Sequence, residues 1–172
     1  MAMRSTRRCE SDMELEALLT LLRALNTEGV RYVVIGGVAL NIHGLPRATA
    51  DVDIFVSPDS SNITHLRAAL RSAYDDPQVD QITAEDLSGR YPAIQYVPPD
   101  GSFHIDILAR LGETFAFEDI ESEEREIEGV KVNVATPAML YRMKKDTVRL
   151  QDKADAARLR DRFGLEDVVD AD

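Results

Sequence analysis

Two aspartates one residue apart, Asp51 and Asp53, lie in the otherwise apolar run Ala50–Val56. In an extended chain alternate side chains share a face, so both carboxylates project from one side of this strand. Burying a lone carboxylate is costly, and two on one face also repel each other. A divalent cation between them offsets both costs. Mg2+ suits the position, because it takes oxygen ligands, keeps some waters and shares the rest with substrate phosphates. The same string also suits an edge strand with both aspartates facing water, and Asp-x-Asp alone does not separate the two.

Upstream, the β-branched and aromatic run Val30–Ile35 ends in Gly36-Gly37, and Val38–His43 reads as a short helix closed by Gly44 and Pro46. A strand, two glycines and a helix start let backbone N–H groups approach a phosphate. This is not a P-loop, since no Gly-Lys-Ser/Thr follows, and the third glycine of a dinucleotide fingerprint is missing. The specific feature is the combination: strand, Gly-Gly, thirteen residues, then Asp-x-Asp on the next strand.

The elements that must position these groups follow from periodicity. Ser11-Asp12-Met13-Glu14 fits a capping box, after which Leu15, Leu18, Leu19, Leu22 and Leu25 recur at helical spacing until Gly29. Ser60 or Ser61 is placed to cap a helix running to about Tyr74, and residues 75–92 read as loop with a helical turn near Ala84–Leu87. Ala93–Val97 and Phe103–Leu108 flank Pro98-Pro99-Asp100-Gly101, a hairpin signal, with His104 and Asp106 sharing the face opposite Phe103, Ile105 and Ile107. Glu113–Glu128 holds eight carboxylates against one arginine and reads as a solvated helix and edge strand. Arg125–Glu128 and Val130–Val134 form a second hairpin around Gly129. Thr136-Pro137 then starts a helix that continues, with a break, to Phe163 and Gly164. This order predicts an α/β (α+β) chain with a mixed sheet flanked by helices.

The length, 172 residues, allows one domain. The expected division is a flexible tail over 1–10 and a single domain over 11–172, with a core of about 11–134 and a helical segment of about 136–172. With 44% apolar and 30% charged residues, the composition excludes disorder. No apolar run approaches a bilayer span, and Cys9-Glu10-Ser11-Asp12 follows Arg4, Arg7 and Arg8 where a signal peptide needs apolar residues. A cytoplasmic protein without membrane contact is expected. The single cysteine makes no internal disulfide, and His43, His65 and His104 lack metal-ligand spacing. The net charge of −11 argues against a general nucleic-acid coat, though not against a small nucleotide whose charge a metal offsets. Lys144–Arg162 is the locally basic region, with seven basic and four acidic residues. Tyr91, Tyr96 and Phe103 are aromatic groups able to stack a base or to pack the core.

On these motifs the chain resembles the nucleotidyltransferases of the DNA polymerase β-like superfamily. It reads Val-Val-Ile-Gly-Gly at 33–37 and Asp-Val-Asp-Ile at 51–54, and His104-Ile105-Asp106-Ile107-Leu108 supplies the third carboxylate that the resemblance leads one to expect. Within the superfamily it is similar to the small nucleotidyltransferases of abortive-infection and toxin–antitoxin systems. The matching residues are Arg47-Ala48-Thr49-Ala50-Asp51-Val52-Asp53, Lys144 after Pro137-Ala138-Met139-Leu140, and Lys153 with Asp155. Where many members carry serine as the second residue of the glycine pair, this chain has Gly37.

The resemblance implies that Asp51 and Asp53 hold two Mg2+ ions about 3.5–4 Å apart (Mn2+ being an alternative), and that Asp106 binds one and helps deprotonate the attacking hydroxyl. It implies that Gly36 and Gly37 cradle a nucleoside triphosphate, with Arg47, Thr49, Lys144, Lys153 and Asp155 in the nucleotide-binding set. A nucleoside monophosphate would pass to an acceptor hydroxyl on transfer RNA, protein or a small molecule. A toxin with a cognate antitoxin chain fits the resemblance. The alternative is a non-catalytic nucleotide-binding or antitoxin module, against which the three retained carboxylates argue.

Overall fold

The computed structural model describes residues 3–90, 92–101 and 103–166, with the backbone alone over 3–13. Helix α1 (Met3–Thr27) leads into strand β1 (Tyr32–Ile35), helix α2 (Gly36–Ile42), strand β2 (Asp51–Val56) and helix α3 (Ser60–Tyr74). A 3-10 turn (Pro77–Gln81) and helix α4 (Ala84–Ser88) precede strands β3 (Ala93–Tyr96) and β4 (His104–Leu108). A small pair, β5 (Arg110–Leu111) and β6 (Phe115–Ala116), is followed by β7 (Ser122–Ile127), β8 (Val130–Ala135), α5 (Pro137–Lys144) and α6 (Leu150–Phe163).

Six strands form one mixed sheet in the order β3-β4-β2-β1-β8-β7. β2 runs antiparallel to β1 and parallel to β4, β1 is parallel to β8, and the β3–β4 and β7–β8 hairpins are antiparallel. The Asp-x-Asp strand is therefore interior, and the edge-strand alternative does not describe it. The core joins Leu19, Leu22 and Leu25 of α1 to Val34, Ile54, Phe55, Ile105 and Ile107 of the sheet and to Leu66 and Leu70 of α3, all buried.

Several boundaries follow from local chemistry. Gly29 (φ +67°) stops α1, and Thr136 accepts the Met139 N–H at 3.1 Å with Pro137 in the first turn of α5. The α1 backbone is helical from Met3, so residues 3–10, read from sequence as a tail, precede Ser11 within the helix. Asp59, not Ser60 or Ser61, caps α3: its Oδ1 accepts the Asn62 N–H at 2.9 Å while Ser57 and Arg31 donate to Oδ2. Asn62 is buried and bonds both the N–H and the C=O of Arg31, tying the start of α3 to the entry of β1. In the acidic stretch the expected edge strand is β7, exposed at the end of the sheet, while a 3-10 turn (Phe117–Asp119) stands in place of the expected helix. Residues 167–172, assigned above to the helical segment, and Tyr91 lie outside the described residues. Among the described residues, no helix is long and apolar enough to cross a membrane.

Candidate active site

Strand β1 passes into α2 with no intervening loop, and side chains crowd both glycines at the junction. Gly36 has φ +67°, a conformation that side-chain-bearing residues rarely adopt, and a Cβ there would overlap the Asp53 carboxylate. A Cβ on Gly37 would lie 2.7 Å from Arg47 Nη1 and 3.0 Å from Thr49 Cβ. The room a serine would take at position 37 is thus filled by Arg47 and Thr49. The glycine pair lets one aspartate and one arginine close directly onto the chain reversal.

Sheet register gathers the carboxylates. Asp53 stands opposite Asp106 of β4 and Ile35 of β1, and Asp51 stands opposite His104. Directly opposed residues share a face, so Asp51, Asp53 and Asp106 point to the same side. Burial, with Asp106 and then Asp51 beside it, pushes the Asp53 carboxyl up to about 6, and Lys144 and Arg47 only partly offset this. Asp106 accepts a hydrogen bond from Gln95 Nε2 at 3.1 Å, and Asp51 Oδ1 lies 3.6 Å from His104 Nδ1. With those side-chain orientations, no three His, Cys, Asp or Glu side chains among the described residues converge on one point able to hold a metal ion. The donor chemistry nevertheless fits a hard divalent cation: carboxylates facing one side in an interior position, one of them pushed up by burial and by its acidic neighbours.

Cations approach from the carboxy-terminal helices. Lys144, at the end of α5, is buried and places Nζ 2.8 Å from Asp152 Oδ1 and 3.2 Å from Asp155 Oδ2. Arg47 Nε lies 3.3 Å from the same Asp155 oxygen. Asp155 is wholly buried on α6 and also accepts from Gln151, so it orients both cations and does not itself line the cleft. Burial pushes the Asp152 carboxyl up, but the Lys144 ammonium outweighs this and holds it below the usual carboxylate range.

A cleft of about 1240 Å3 brings together Gly36, Gly37, Arg47, Thr49, Asp51, Asp53, Asp106 and Lys144. Lys153 is exposed on α6 and is not on the cleft wall. The Thr49 hydroxyl donates to the Asp51 carbonyl at 3.0 Å and so shapes the entry to β2. Further polar residues on the wall were not identified from sequence, among them Gln95, Arg142, Arg149, Asp146 and Asp152. Arg142 pairs with Glu121 at 3.2 Å beside the Phe115 ring, and Arg149 sits at the start of α6. The basic composition of 144–162 was the available signal for Arg149. Nothing local marks Gln95, which only the β3–β4 register sets beside Asp106. Of the remaining candidates, Tyr96 is buried and donates to Asp76 at 3.0 Å, and His43 is buried with Nε2 2.8 Å from the Ala135 carbonyl.

Residues 20–163, which include every one of these groups, match the model of the family described as nucleotidyl transferase AbiEii toxin, type IV TA system. The chain belongs to that family. It is accordingly a nucleotidyltransferase of the toxin–antitoxin class. Among solved structures it is similar to a candidate nucleotidyltransferase from Thermotoga maritima, at 16% identity and TM-score 0.52, over 87% of this chain and 92% of that one. It is also similar to an antigenic nucleotidyltransferase-like protein from Paracoccidioides brasiliensis, at 18% identity and TM-score 0.53, over 85% and 75% of the two chains. At such identities the likeness shows the shared fold. A comparison with curated protein sequences gave no match.

Proposed function

We propose that this AbiEii-family nucleotidyltransferase transfers a nucleoside monophosphate from a nucleoside triphosphate to an acceptor hydroxyl with the help of Mg2+, and that it acts as the toxin opposite a cognate antitoxin. One observation carries the reading: Asp53, opposed to Asp106 in register and one step from Asp51, resists ionisation in an interior strand at the wall of a cleft that also holds Arg47 and Lys144.

Asp51, Asp53 and Asp106 are the residues that would hold the divalent cations. When bound, these would screen the carboxylates from one another and neutralise charge developing on the phosphates. Without side chains of their own, Gly36 and Gly37 would let the triphosphate approach the backbone between Asp53 and Arg47. Lys144, Arg47, Arg142 and Arg149 meet its negative charge, and Asp155 holds the first two in place. In the transfer, the acceptor oxygen bonds to the α-phosphorus, the bond from that phosphorus to the bridging oxygen breaks, and pyrophosphate leaves. Asp106 takes up the hydroxyl proton. Asp51→Asn keeps the shape of the side chain while removing its charge, so purified protein and this variant can be compared with labelled triphosphates, Mg2+ and candidate acceptors. Equal labelling by the variant would overturn the proposal.

The non-catalytic alternative draws on one observation, the side-chain orientations in which Asp51 faces His104 and Asp106 faces Gln95. It is separated by calorimetry: triphosphate binding indifferent to Mg2+, without pyrophosphate release, would favour a binding module.

A further inference from the structure

The charged groups of the cleft suit the phosphates and cations of a nucleoside triphosphate, and none of them suits its base. One corner of the same cleft is apolar. Leu108, Leu111 and Phe115 line it, and Phe115 is the one aromatic ring on the cleft wall among the described residues. Leu111 and Phe115 stand opposite each other across the β5–β6 pair, so their side chains share a face. Gly112, at φ +60° in the turn between them, has nothing within 4 Å of the place a Cβ would take, which leaves the turn open.

The place of this corner relates it to the reacting phosphate. Leu108 follows Asp106 by two residues on β4, so the two side chains point to one side of the strand about 7 Å apart, a step that a sugar ring spans. From the other wall, Arg142 of α5 sets its guanidinium carbon 5.8 Å from the centre of the Phe115 ring, and Glu121 holds that arginine at 3.2 Å. Lys144, proposed above to meet the triphosphate, lies two residues further along the same helix, about 3 Å of axial rise. A molecule with its phosphates at Lys144 and Arg47 and its α-phosphate beside Asp53 and Asp106 can thus lay a flat, uncharged group against Phe115. Every nucleobase has a π-face, and an aromatic ring offers it a stacking surface that an aliphatic side chain does not. We propose that Phe115 is the platform on which the base of the incoming nucleoside triphosphate stacks, with Leu111 beside it and Arg142, braced by Glu121, fixing the ring. The inference rests on the nucleotidyl transfer proposed above and names the contact that holds the base.

The chain has no tryptophan, so Phe115→Trp introduces a single indole whose fluorescence reports stacking. This variant is titrated with each of the four common nucleoside triphosphates and with inorganic tripolyphosphate, which carries the charge without a base, all in the presence of Mg2+. Strong quenching by at least one nucleoside triphosphate and little by saturating tripolyphosphate is expected. Calorimetry on the full chain then compares the parent with Phe115→Leu and Phe115→Tyr. Phe115→Leu should weaken the best-bound nucleoside triphosphate roughly 5- to 150-fold, the range for loss of one base–aromatic stack, and leave tripolyphosphate within about twofold. Phe115→Tyr keeps the ring and should restore nucleotide affinity to within about threefold of the parent. Thermal melts confirm folding, and should Phe115→Leu melt early, the quenching of Phe115→Trp decides alone.

Equal quenching by tripolyphosphate, or nucleotide affinity unchanged in Phe115→Leu, would overturn the assignment while leaving nucleotidyl transfer standing. So would an equal loss of tripolyphosphate binding in Phe115→Leu, which would give the ring a structural role only. Base-dependent quenching and weakened nucleotide binding, without pyrophosphate release by the parent on transfer RNA, protein or small-molecule acceptors, would support the platform and instead remove the transferase reading.

Discussion

Replacing Asp53 with asparagine should stabilise the fold at neutral pH while removing a candidate metal ligand. The carboxyl is pushed from its usual 3.8 up to about 6, by burial first and then by Asp106 and Asp51. Between those two values the folded state binds more protons at this position than the unfolded state does. Stability due to this group therefore falls as pH rises from about 4 through 6 and stays low above that. At 1.36 kcal/mol per tenfold change in proton affinity, the full penalty is about 3 kcal/mol. Asparagine is nearly isosteric, so it fits against Gly36 as aspartate does, and it carries no charge at any pH. The difference in unfolding free energy between Asp53→Asn and the parent should thus be close to zero below pH 4 and grow to about 3 kcal/mol by pH 7.5. For a chain of this size that corresponds to roughly 6–12 °C in Tm. Urea unfolding at a series of pH values, in metal-free buffer with a chelator, reads this directly. A variant that is less stable than the parent at pH 7.5, or a difference that does not change with pH, would refute the claim that burial and the neighbouring carboxylates penalise ionised Asp53.

Mg2+ should raise the melting temperature of the parent, by about 2.7 kcal/mol of stabilisation at a hundredfold excess over Kd, and should have little effect on Asp53→Asn; differential scanning fluorimetry with and without the ion checks it. Gly36→Ala should cost about 2–4 kcal/mol in urea unfolding, because alanine is disfavoured at φ +67° and its methyl group meets the Asp53 carboxylate. Asp155→Ala should cost about 3 kcal/mol and raise the KM for triphosphate, since it removes the buried carboxylate that Lys144 and Arg47 share; an unchanged KM would show that these cations do not bind the nucleotide. Asp106→Asn should lower transfer on the order of 100-fold or more, in kcat rather than KM, as measured by pyrophosphate release.

Local patterns in the chain determined much of this molecule. The strand carrying Asp51 and Asp53, the glycine pair, the β3–β4 hairpin around Gly101 and the helix begun by Thr136-Pro137 were all legible, while the interior place of that strand was not. Each depends on short-range rules: side-chain alternation along a strand, the conformational freedom of glycine, the fixed φ of proline, and capping by hydroxyl groups. Tertiary structure decided the rest. That Asp106 opposes Asp53 follows from the parallel register of β2 with β4, a pairing of residues about fifty positions apart that no local rule sets. That Asp155 is a buried brace for Lys144 and Arg47, and Lys153 an exposed neighbour, depends on which face of α6 packs against α5, and both residues read alike as charged helical positions. The crowding at Gly37 comes from Arg47 and Thr49, brought back by the loop before β2. Periodicity indicates which residues share a face; only the packed chain shows which faces meet.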